Sequence, residues 1–187
     1  MSTVLVPLAQ GCEELEAVTI IDLLRRAQIP VVAAGLDKHP VKASRDVVLV
    51  PDTDIDIALD RDYGMVVLPG GLPGADNLAN DVRVLNLIKQ MADADKYVCA
   101  ICAAPAVLAK AGVLEGKRAT SYPGILDKMA PPGVTYTGAP IEVDGKVITA
   151  RGPGVAMVFA LKLVEVLAGV ETRRSVEQSL AGPGSGD

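Results

Sequence analysis

The chain has 187 residues, of which 50% are hydrophobic and 3% aromatic, and its formal net charge is −5 at pH 7. This length is typical of one domain with a substantial core, built here from Val, Leu, Ile and Ala. The negative charge argues against nucleic acid or an anionic membrane as the main partner. No secretory signal is evident, and no apolar stretch is expected to span a membrane. Three cysteines do not suggest a disulfide framework, so we expect a cytoplasmic domain.

Short apolar runs alternate with amphipathic segments along the chain. The first half predicts strands at 3–8, 30–35, 47–50 and 65–68, a helix at 13–27, an acidic surface segment at 52–62 and a helix from 80 or 81 to 92. The second half predicts a strand at 97–101, a helix with Pro105 in its first turn, a hairpin at 144–145 and a helix at 153–168. This alternation predicts an α/β sandwich with a mainly parallel sheet. We expect residues 1–180 to form one domain and 181–187 to be a disordered tail.

Cys102 lies where the predicted strand 97–101 passes into the next helix. A thiol there meets the positive end of the helix dipole and free backbone N–H groups, which lower its pKa and can hold an oxyanion. Cysteine is also a small apolar residue that suits a core, which is the competing explanation. The turn position and the Ala-Ala-Pro sequence that follows favour a reactive thiol.

Two further segments should meet Cys102 at the carboxyl edge of the sheet. Gly70 and Gly71 follow a strand, where a tight turn alone explains them, although bare N–H groups can also approach a reacting centre. In the first helix, successive turns are marked by Leu15, Val18, Ile21 or Asp22, and Leu24 or Arg25, and Glu16 lies about one turn from the start. If Glu16 reaches Cys102, its pKa should be raised, and it should donate a hydrogen bond to the sulfur and can act as general acid and base. The neighbouring Glu13 and Glu14 are explained by the helix dipole.

Other candidates for chemistry are weaker. Cys99 is separated from Cys102 by about 10 Å of extended strand, whereas a disulfide needs Cα atoms within about 7 Å, so we expect Cys99 in the core. Cys12 is either a bystander or an oxidation partner. His39, the single histidine, lies in a polar turn, so neither a Cys-His protease-like pair nor a zinc site is expected.

Five ordered motifs carry a family resemblance, at residues 11–16, 44–47, 67–71, 100–105 and 151–154. With them the chain resembles the DJ-one family, the deglycase branch of the ThiJ/PfpI superfamily, over residues 3–180. The resemblance implies a flavodoxin-like three-layer sandwich with helices on both faces, no cofactor, no metal and a homodimer formed through the first helix. It implies that Cys102 is the nucleophile and Glu16 its protonated partner. It also implies an oxyanion hole formed by the N–H groups of Gly71 and Ala103, and further substrate-binding positions at Gly70, Arg45 and Tyr122.

One position departs from the family pattern. Many relatives carry a His near the cysteine in a Thr-His-Pro setting, where this chain has Tyr122 before Pro123. Tyrosine, with an ordinary pKa of about 10, is no base at neutral pH. Chemistry must therefore depend on Glu16, and peptidase activity is disfavoured.

The resemblance implies a cofactor-independent glyoxalase or deglycase that acts on methylglyoxal and glyoxal, or on their adducts, and protects against oxidative stress. The Cys102 thiolate would add to the aldehyde, and Glu16 would move a proton between the adjacent carbons. The alternative is a redox-sensing chaperone whose Cys102 is oxidised to the sulfinate without important turnover. A structural dimer with an unreactive Cys102 is a third interpretation.

Overall fold

The structure, a computed structural model, describes residues 2–182. The strands are β1 (Val4–Leu8), β2 (Val31–Gly35), β3 (Val41–Lys42), β4 (Val48–Leu49), β5 (Thr53–Asp54), β6 (Met65–Leu68), β7 (Tyr97–Ile101), β8 (Arg118–Ala119), β9 (Thr135–Tyr136), β10 (Ile141–Asp144) and β11 (Val147–Ala150). The helices are α1 (Glu14–Arg26), α2 (Ile55–Ala58), α3 (Gly74–Asn80), α4 (Val82–Asp93), α5 (Pro105–Lys110), α6 (Leu126–Met129) and α7 (Ala156–Ser179). A 3-10 turn, Pro153–Val155, precedes α7.

Seven strands form the central sheet in the order β10-β11-β7-β6-β1-β2-β5. Neighbouring strands are parallel except in the β10–β11 hairpin. Successive strand residues point to opposite faces, so Val4 and Val6 pack in the core beneath α1 and α7, and Leu5 packs in the core beneath α2 to α5. The predicted α/β sandwich with helices on both faces is confirmed. The tail predicted at 181–187 lies, from residue 183 onward, outside the described residues.

The order of the strands brings three loops together. Strands β1, β6 and β7 are parallel neighbours, and the loops after them therefore leave the sheet at one edge. The loop after β1 contacts the turn after β6 directly, because the Glu13 N–H donates to the Gly70 carbonyl at 2.9 Å. The turn after β7 holds Cys102. The sheet thus gathers the three predicted segments at a single place.

Helix α1 buries a face that matches its predicted apolar stripe only in part. Leu15 and Val18, two of the residues expected to mark its successive turns, are 51% and 49% exposed. The buried face includes Ala17, Ile20 and Leu24, which pack against the sheet and α7. Sequence periodicity detects the helix and places Leu24 correctly, but it selects Leu15 and Val18 wrongly, because both faces of α1 carry apolar residues.

Two predicted segments differ from the structure. The acidic stretch at 52–62 contains an edge strand and the helix α2, whose N-cap Asp54 is buried and accepts a hydrogen bond from the Ile57 N–H at 3.1 Å. The helix expected to end near Ala168 is interrupted at Gly169, where φ is 86°, and then continues to Ser179. A single glycine therefore separates two helical pieces, and the apolar pattern of the sequence predicts only the first of them.

Helix α7 also corrects the expectation that no stretch is long enough for a membrane. Pro153–Ser179 has the length for a span, and an 18-residue window within it has a mean hydropathy of 1.8. However, Phe159, Leu163 and Val164 are fully buried in the core shared with α1. This packing explains the apolar residues on one face of the helix, whereas Met157, Val158 and Val170 are about half exposed, so the helix is only weak evidence of a membrane span.

Candidate active site at Cys102

Cys102 forms the sharp turn between β7 and α5. Its backbone has a φ of 65°, a left-handed conformation that costs a residue with a Cβ roughly 1–2 kcal/mol. Two hydrogen bonds hold it there: the Cys102 N–H donates to the Ala150 carbonyl at 2.9 Å, and the Tyr122 N–H donates to the Cys102 carbonyl at 2.8 Å. The side chain is 8% exposed. The turn therefore fixes the direction of the thiol at the sheet edge.

Gly70 lies against this turn and Gly71 against the loop after β1, and neither position has room for a side chain. A Cβ on Gly70 would lie 2.6 Å from the Cβ of Cys102, and one on Gly71 would lie 2.4 Å from the Glu13 nitrogen. Gly71 also has a φ of 85°, which favours glycine. The N–H groups of Gly71 and Ala103 both donate toward the Cys102 sulfur. The structure thus brings together the two donors predicted to form the oxyanion hole.

Glu16 is fully buried beside the thiol. Its Oε2 accepts a hydrogen bond from the Gly70 N–H at 2.8 Å, and its carboxyl interacts with the Cys102 thiol. Its Oε1 has no well-aligned hydrogen-bond partner within residues 2–182. Burial raises the pKa of Glu16 to about 7, against the opposing hydrogen bonds from Gly70 and Cys102. This is the direction expected for a carboxyl that shares a proton with the sulfur.

The thiol itself differs from the expectation of a lowered pKa. Burial, and then the negative charge of Glu16, raise the pKa of Cys102 to about 12, and the N–H groups of Gly71 and Ala103 only partly oppose this. The short α5 has six residues, so its dipole is small. The charge on Glu16 disappears when the carboxyl takes up the proton, and a protonated carboxyl can donate to the sulfur. A thiolate in this site therefore requires a protonated Glu16.

Arg45 lies in the loop between β3 and β4, and its side chain is exposed. Its Nη1 donates to the Ser44 carbonyl at 3.1 Å, and its backbone N–H donates to Glu14 Oε1 at 2.8 Å. Glu14 Oε2 accepts from the Ser44 hydroxyl at 3.0 Å, and the Ser44 N–H donates to the Cys12 carbonyl at 2.8 Å. Glu14, which the sequence explains by the helix dipole alone, therefore fastens this loop to the site. A substrate contact by Arg45 stays a prediction.

Tyr122 contributes its backbone to the site and its ring to the rim. The ring is half-exposed and lies over Gly152, where a Cβ would be 3.1 Å from the Tyr122 Cδ2 atom. Gly152 has an extended φ of 166°, which any residue can adopt, so the close ring explains the glycine. Sequence patterns do not predict this contact, since nothing local connects two residues thirty positions apart.

The Tyr122 hydroxyl is not expected to take part in proton transfer. If Glu16 supplies the proton, as the family resemblance implies, Tyr122→Phe should consume methylglyoxal as fast as the wild type does, measured as loss of the dicarbonyl. Tyr122→His, which introduces the family's residue, serves as the matched variant. A loss of turnover in Tyr122→Phe that Tyr122→His does not share would give the phenol a chemical role.

Cys99, Cys12 and His39 differ in burial and surroundings. Cys99 is fully buried in the core, as predicted, and burial raises the pKa of its thiol. Cys12 is also a fully buried free thiol, and burial followed by the charges of Glu14 and Glu13 raises its pKa to about 12. His39 is exposed, as predicted.

Fold and site together define a class: an α/β protein with a cysteine on a strained strand-to-helix turn, beside a buried carboxyl, at the carboxyl edge of a mainly parallel sheet. The model of the DJ-1/PfpI family matches residues 2–166. The chain is 42% identical over 179 residues to the Parkinson disease protein 7 homolog of Danio rerio, covering 94% of this chain and 95% of that protein.

Two further comparisons agree. Over 171 residues the chain is 33% identical to the glutathione-independent glyoxalase DJR-1.2 of Caenorhabditis elegans, covering 91% of each. The crystal structure of Drosophila melanogaster DJ-1beta superposes with a TM-score of 0.93 at 42% identity, covering 98% of this chain and 100% of that one. The chain belongs to the DJ-1/PfpI family, which confirms the family predicted from its motifs.

Proposed function

We propose that the protein is a cofactor-independent glyoxalase that converts methylglyoxal and glyoxal to lactate and glycolate through Cys102 and Glu16. The observation that carries this proposal is the pairing of a fully buried Glu16, whose pKa is raised to about 7, with the thiol of Cys102. A carboxyl that titrates near neutral pH can both give and take a proton during turnover. The name of the Caenorhabditis elegans relative, a glutathione-independent glyoxalase, supports the same chemistry.

The reaction begins with transfer of the thiol proton to Glu16. The Cys102 thiolate then adds to the aldehyde carbon, and a carbon–sulfur bond forms as the carbonyl electron pair moves to oxygen. The N–H groups of Gly71 and Ala103, which donate toward the sulfur, are placed to stabilise this oxyanion. Protonation of the oxyanion by Glu16 gives the hemithioacetal and leaves Glu16 ionised.

The second stage is a proton shift between the two carbons of the substrate. Ionised Glu16 removes the hydrogen from the former aldehyde carbon as a proton, giving an enediolate, and returns it to the former ketone carbon, while the proton of the first hydroxyl passes to the oxygen of the former ketone. The product is a 2-hydroxy thioester on Cys102. Water hydrolyses this thioester through a second oxyanion, releasing lactate and the thiol, so that methylglyoxal and one water give one lactate and one proton.

Deglycation begins at the same thiol, and we propose adducts of methylglyoxal and glyoxal with proteins or nucleotides as further substrates. We also propose a homodimer formed through α1, because Leu15 and Val18 leave about half of their surface exposed on that helix. A cytoplasmic location remains the expectation from the sequence.

Turnover without glutathione is the direct test of this proposal. The purified protein is mixed with methylglyoxal in a buffer that contains a metal chelator and no thiol, and loss of the dicarbonyl is followed over time. We expect catalytic loss with many turnovers per protein molecule. Loss that stops at one equivalent per protein would show mere scavenging by the cysteine and would reject the enzyme.

A second function, redox sensing through Cys102, is favoured by one observation. Cys102 is 8% exposed, whereas Cys12 and Cys99 are both 0% exposed. We therefore expect graded peroxide to oxidise Cys102 to the sulfinate before either other thiol, as read by peptide mass spectrometry. Oxidation of all three cysteines at similar peroxide doses would contradict this selectivity, and selective oxidation without turnover would favour the sensor over the enzyme.

A further inference from the structure

A closed ring of three hydrogen bonds joins the start of α1 to the turn after β6. The Glu13 N–H donates to the Gly70 carbonyl at 2.9 Å, and the Gly70 N–H donates to Glu16 Oε2 at 2.8 Å. The Glu16 N–H in turn donates to Glu13 Oε2 at 2.8 Å. Glu13 therefore enters the ring twice, once through its backbone and once through its side chain.

The backbone bond fixes the direction of an oxyanion donor. The carbonyl of Gly70 and the N–H of Gly71 belong to one planar trans peptide and point in opposite directions. Because the Glu13 N–H holds that carbonyl, the Gly71 N–H must point away from α1, and it donates toward the Cys102 sulfur. Contact of the loop with Gly71, where a Cβ would lie 2.4 Å from the Glu13 nitrogen, leaves this peptide little freedom to rotate.

The side chain of Glu13 acts on the proton partner. It is the N-cap of α1, and it accepts the hydrogen bond from the backbone of Glu16. Its negative charge is also one of the causes, after burial, that raise the pKa of Glu16. Glu13 thus acts on Glu16 through a hydrogen bond and through its negative charge. Its backbone N–H also fixes the direction of the Gly71 N–H.

We infer that Glu13 is a positioning residue, which holds Glu16 and the Gly71 N–H in place beside the Cys102 sulfur and sets a negative charge next to the Glu16 carboxyl. An ordinary helix cap would stabilise α1 and do nothing more. The two explanations differ in what happens to the thiol when the cap is removed. The inference deepens the proposed function and rests on it only where turnover is measured, since alkylation of Cys102 needs no substrate.

The test compares three variants. Glu13→Gln keeps an acceptor for the Glu16 N–H and removes the charge, whereas Glu13→Ala removes both. Asp54→Ala is the matched control, because Asp54 caps α2 in the same way through the Ile57 N–H, and α2 follows the strand at the far edge of the sheet from β7. For each variant, the alkylation rate of Cys102 by iodoacetamide is measured against pH by mass spectrometry, together with the melting temperature and methylglyoxal turnover.

The wild-type alkylation rate should rise with pH as the pair of Glu16 and Cys102 loses its first proton. Its midpoint should lie between 4.5, the ordinary value for a glutamate, and the pKa of about 7 that burial gives Glu16. In Glu13→Gln the midpoint should move to lower pH by roughly half a unit, the effect of a unit charge about 6 Å away in a water-like medium. In Glu13→Ala the alkylation rate and turnover at pH 7 should both fall about tenfold, as for an interaction of ~1.4 kcal/mol.

Asp54→Ala should lose melting temperature to a similar extent and keep the alkylation profile of the wild type. The inference is overturned if Glu13→Ala and Asp54→Ala have the same alkylation profile, or if Glu13→Gln leaves the midpoint in place. Should Glu13→Ala not fold, Glu13→Gln decides the question by its midpoint alone. Absence of turnover in the wild type, with the expected alkylation shifts intact, would reject the glyoxalase proposal and leave the positioning role standing.

Discussion

Cys102→Ser is expected to lower methylglyoxal turnover by about three orders of magnitude or more, since no other group described at the site can form the covalent adduct at neutral pH. Serine is nearly the same size as cysteine and tolerates the same left-handed turn, whose φ is 65°. The fold should therefore survive, and the loss should appear in the rate and not in the amount of folded protein. Rates are measured by loss of methylglyoxal, and folding by circular dichroism.

Cys12→Ala is the control for this experiment. Cys12 is fully buried and has no part in the proposed mechanism, so its removal should leave turnover near that of the wild type. Turnover in Cys102→Ser equal to that of the wild type would show that the dicarbonyl reacts elsewhere on the protein.

Glu16→Gln is expected to separate the two stages of the reaction. The amide fills the same space and can accept from the Gly70 N–H, which lies 2.8 Å from Glu16 Oε2, but it cannot carry a proton between two carbons. Turnover should therefore fall about 10²- to 10⁴-fold, the usual contribution of a positioned general acid or base. Alkylation of Cys102 by iodoacetamide at pH 7 should fall less than turnover, because burial still raises the pKa of the thiol but the negative charge of Glu16, which raises it further, is gone.

The same variant should also change how stability depends on pH. Because burial raises the pKa of Glu16 from 4.5 to about 7, the folded state disfavours the ionised carboxyl. The contribution of Glu16 to stability is therefore fully present below pH 4.5 and is lost as the pH rises through about 7. Thermal melts of Glu16→Gln should lack this decline. A variant that keeps the full turnover, or slows in alkylation as much as in turnover, would remove Glu16 from its proposed role.

Much of this architecture is predictable from the sequence because its buried strands are short, apolar and bounded by turn residues. The strands at 4–8, 31–35, 65–68 and 97–101 lie within a residue or so of their predicted positions. The segments that form the site are predictable for a related reason, because the loops that follow parallel strands lie at one edge of the sheet. Two features are visible locally in the sequence: Cys102 at a strand-to-helix turn, and a glycine pair after a neighbouring strand. The parallel sheet then places them side by side.

The features that sequence patterns do not predict depend on distant contacts. The direction of the Cys102 pKa shift is set by its burial and by the charge of Glu16, neither of which is a property of the residues around Cys102 in the chain. The ring of Tyr122 over Gly152 and the attachment of the Arg45 loop by Glu14 are likewise tertiary contacts. The exposed stripe of α1 is also unexpected, because Leu15 and Val18 are apolar, yet α7 packs against other residues of the helix.

The most direct measurement of the central claim is the handedness of the lactate formed from methylglyoxal. If Glu16 delivers the proton to a substrate held on Cys102, with the oxyanion donors fixed on one side, the ketone carbon is protonated from one face only. The protein should then give one lactate per methylglyoxal consumed, and a single enantiomer in assays with enantiomer-specific lactate dehydrogenases. Racemic lactate, or loss of methylglyoxal without lactate, would contradict a proton transfer held by this site.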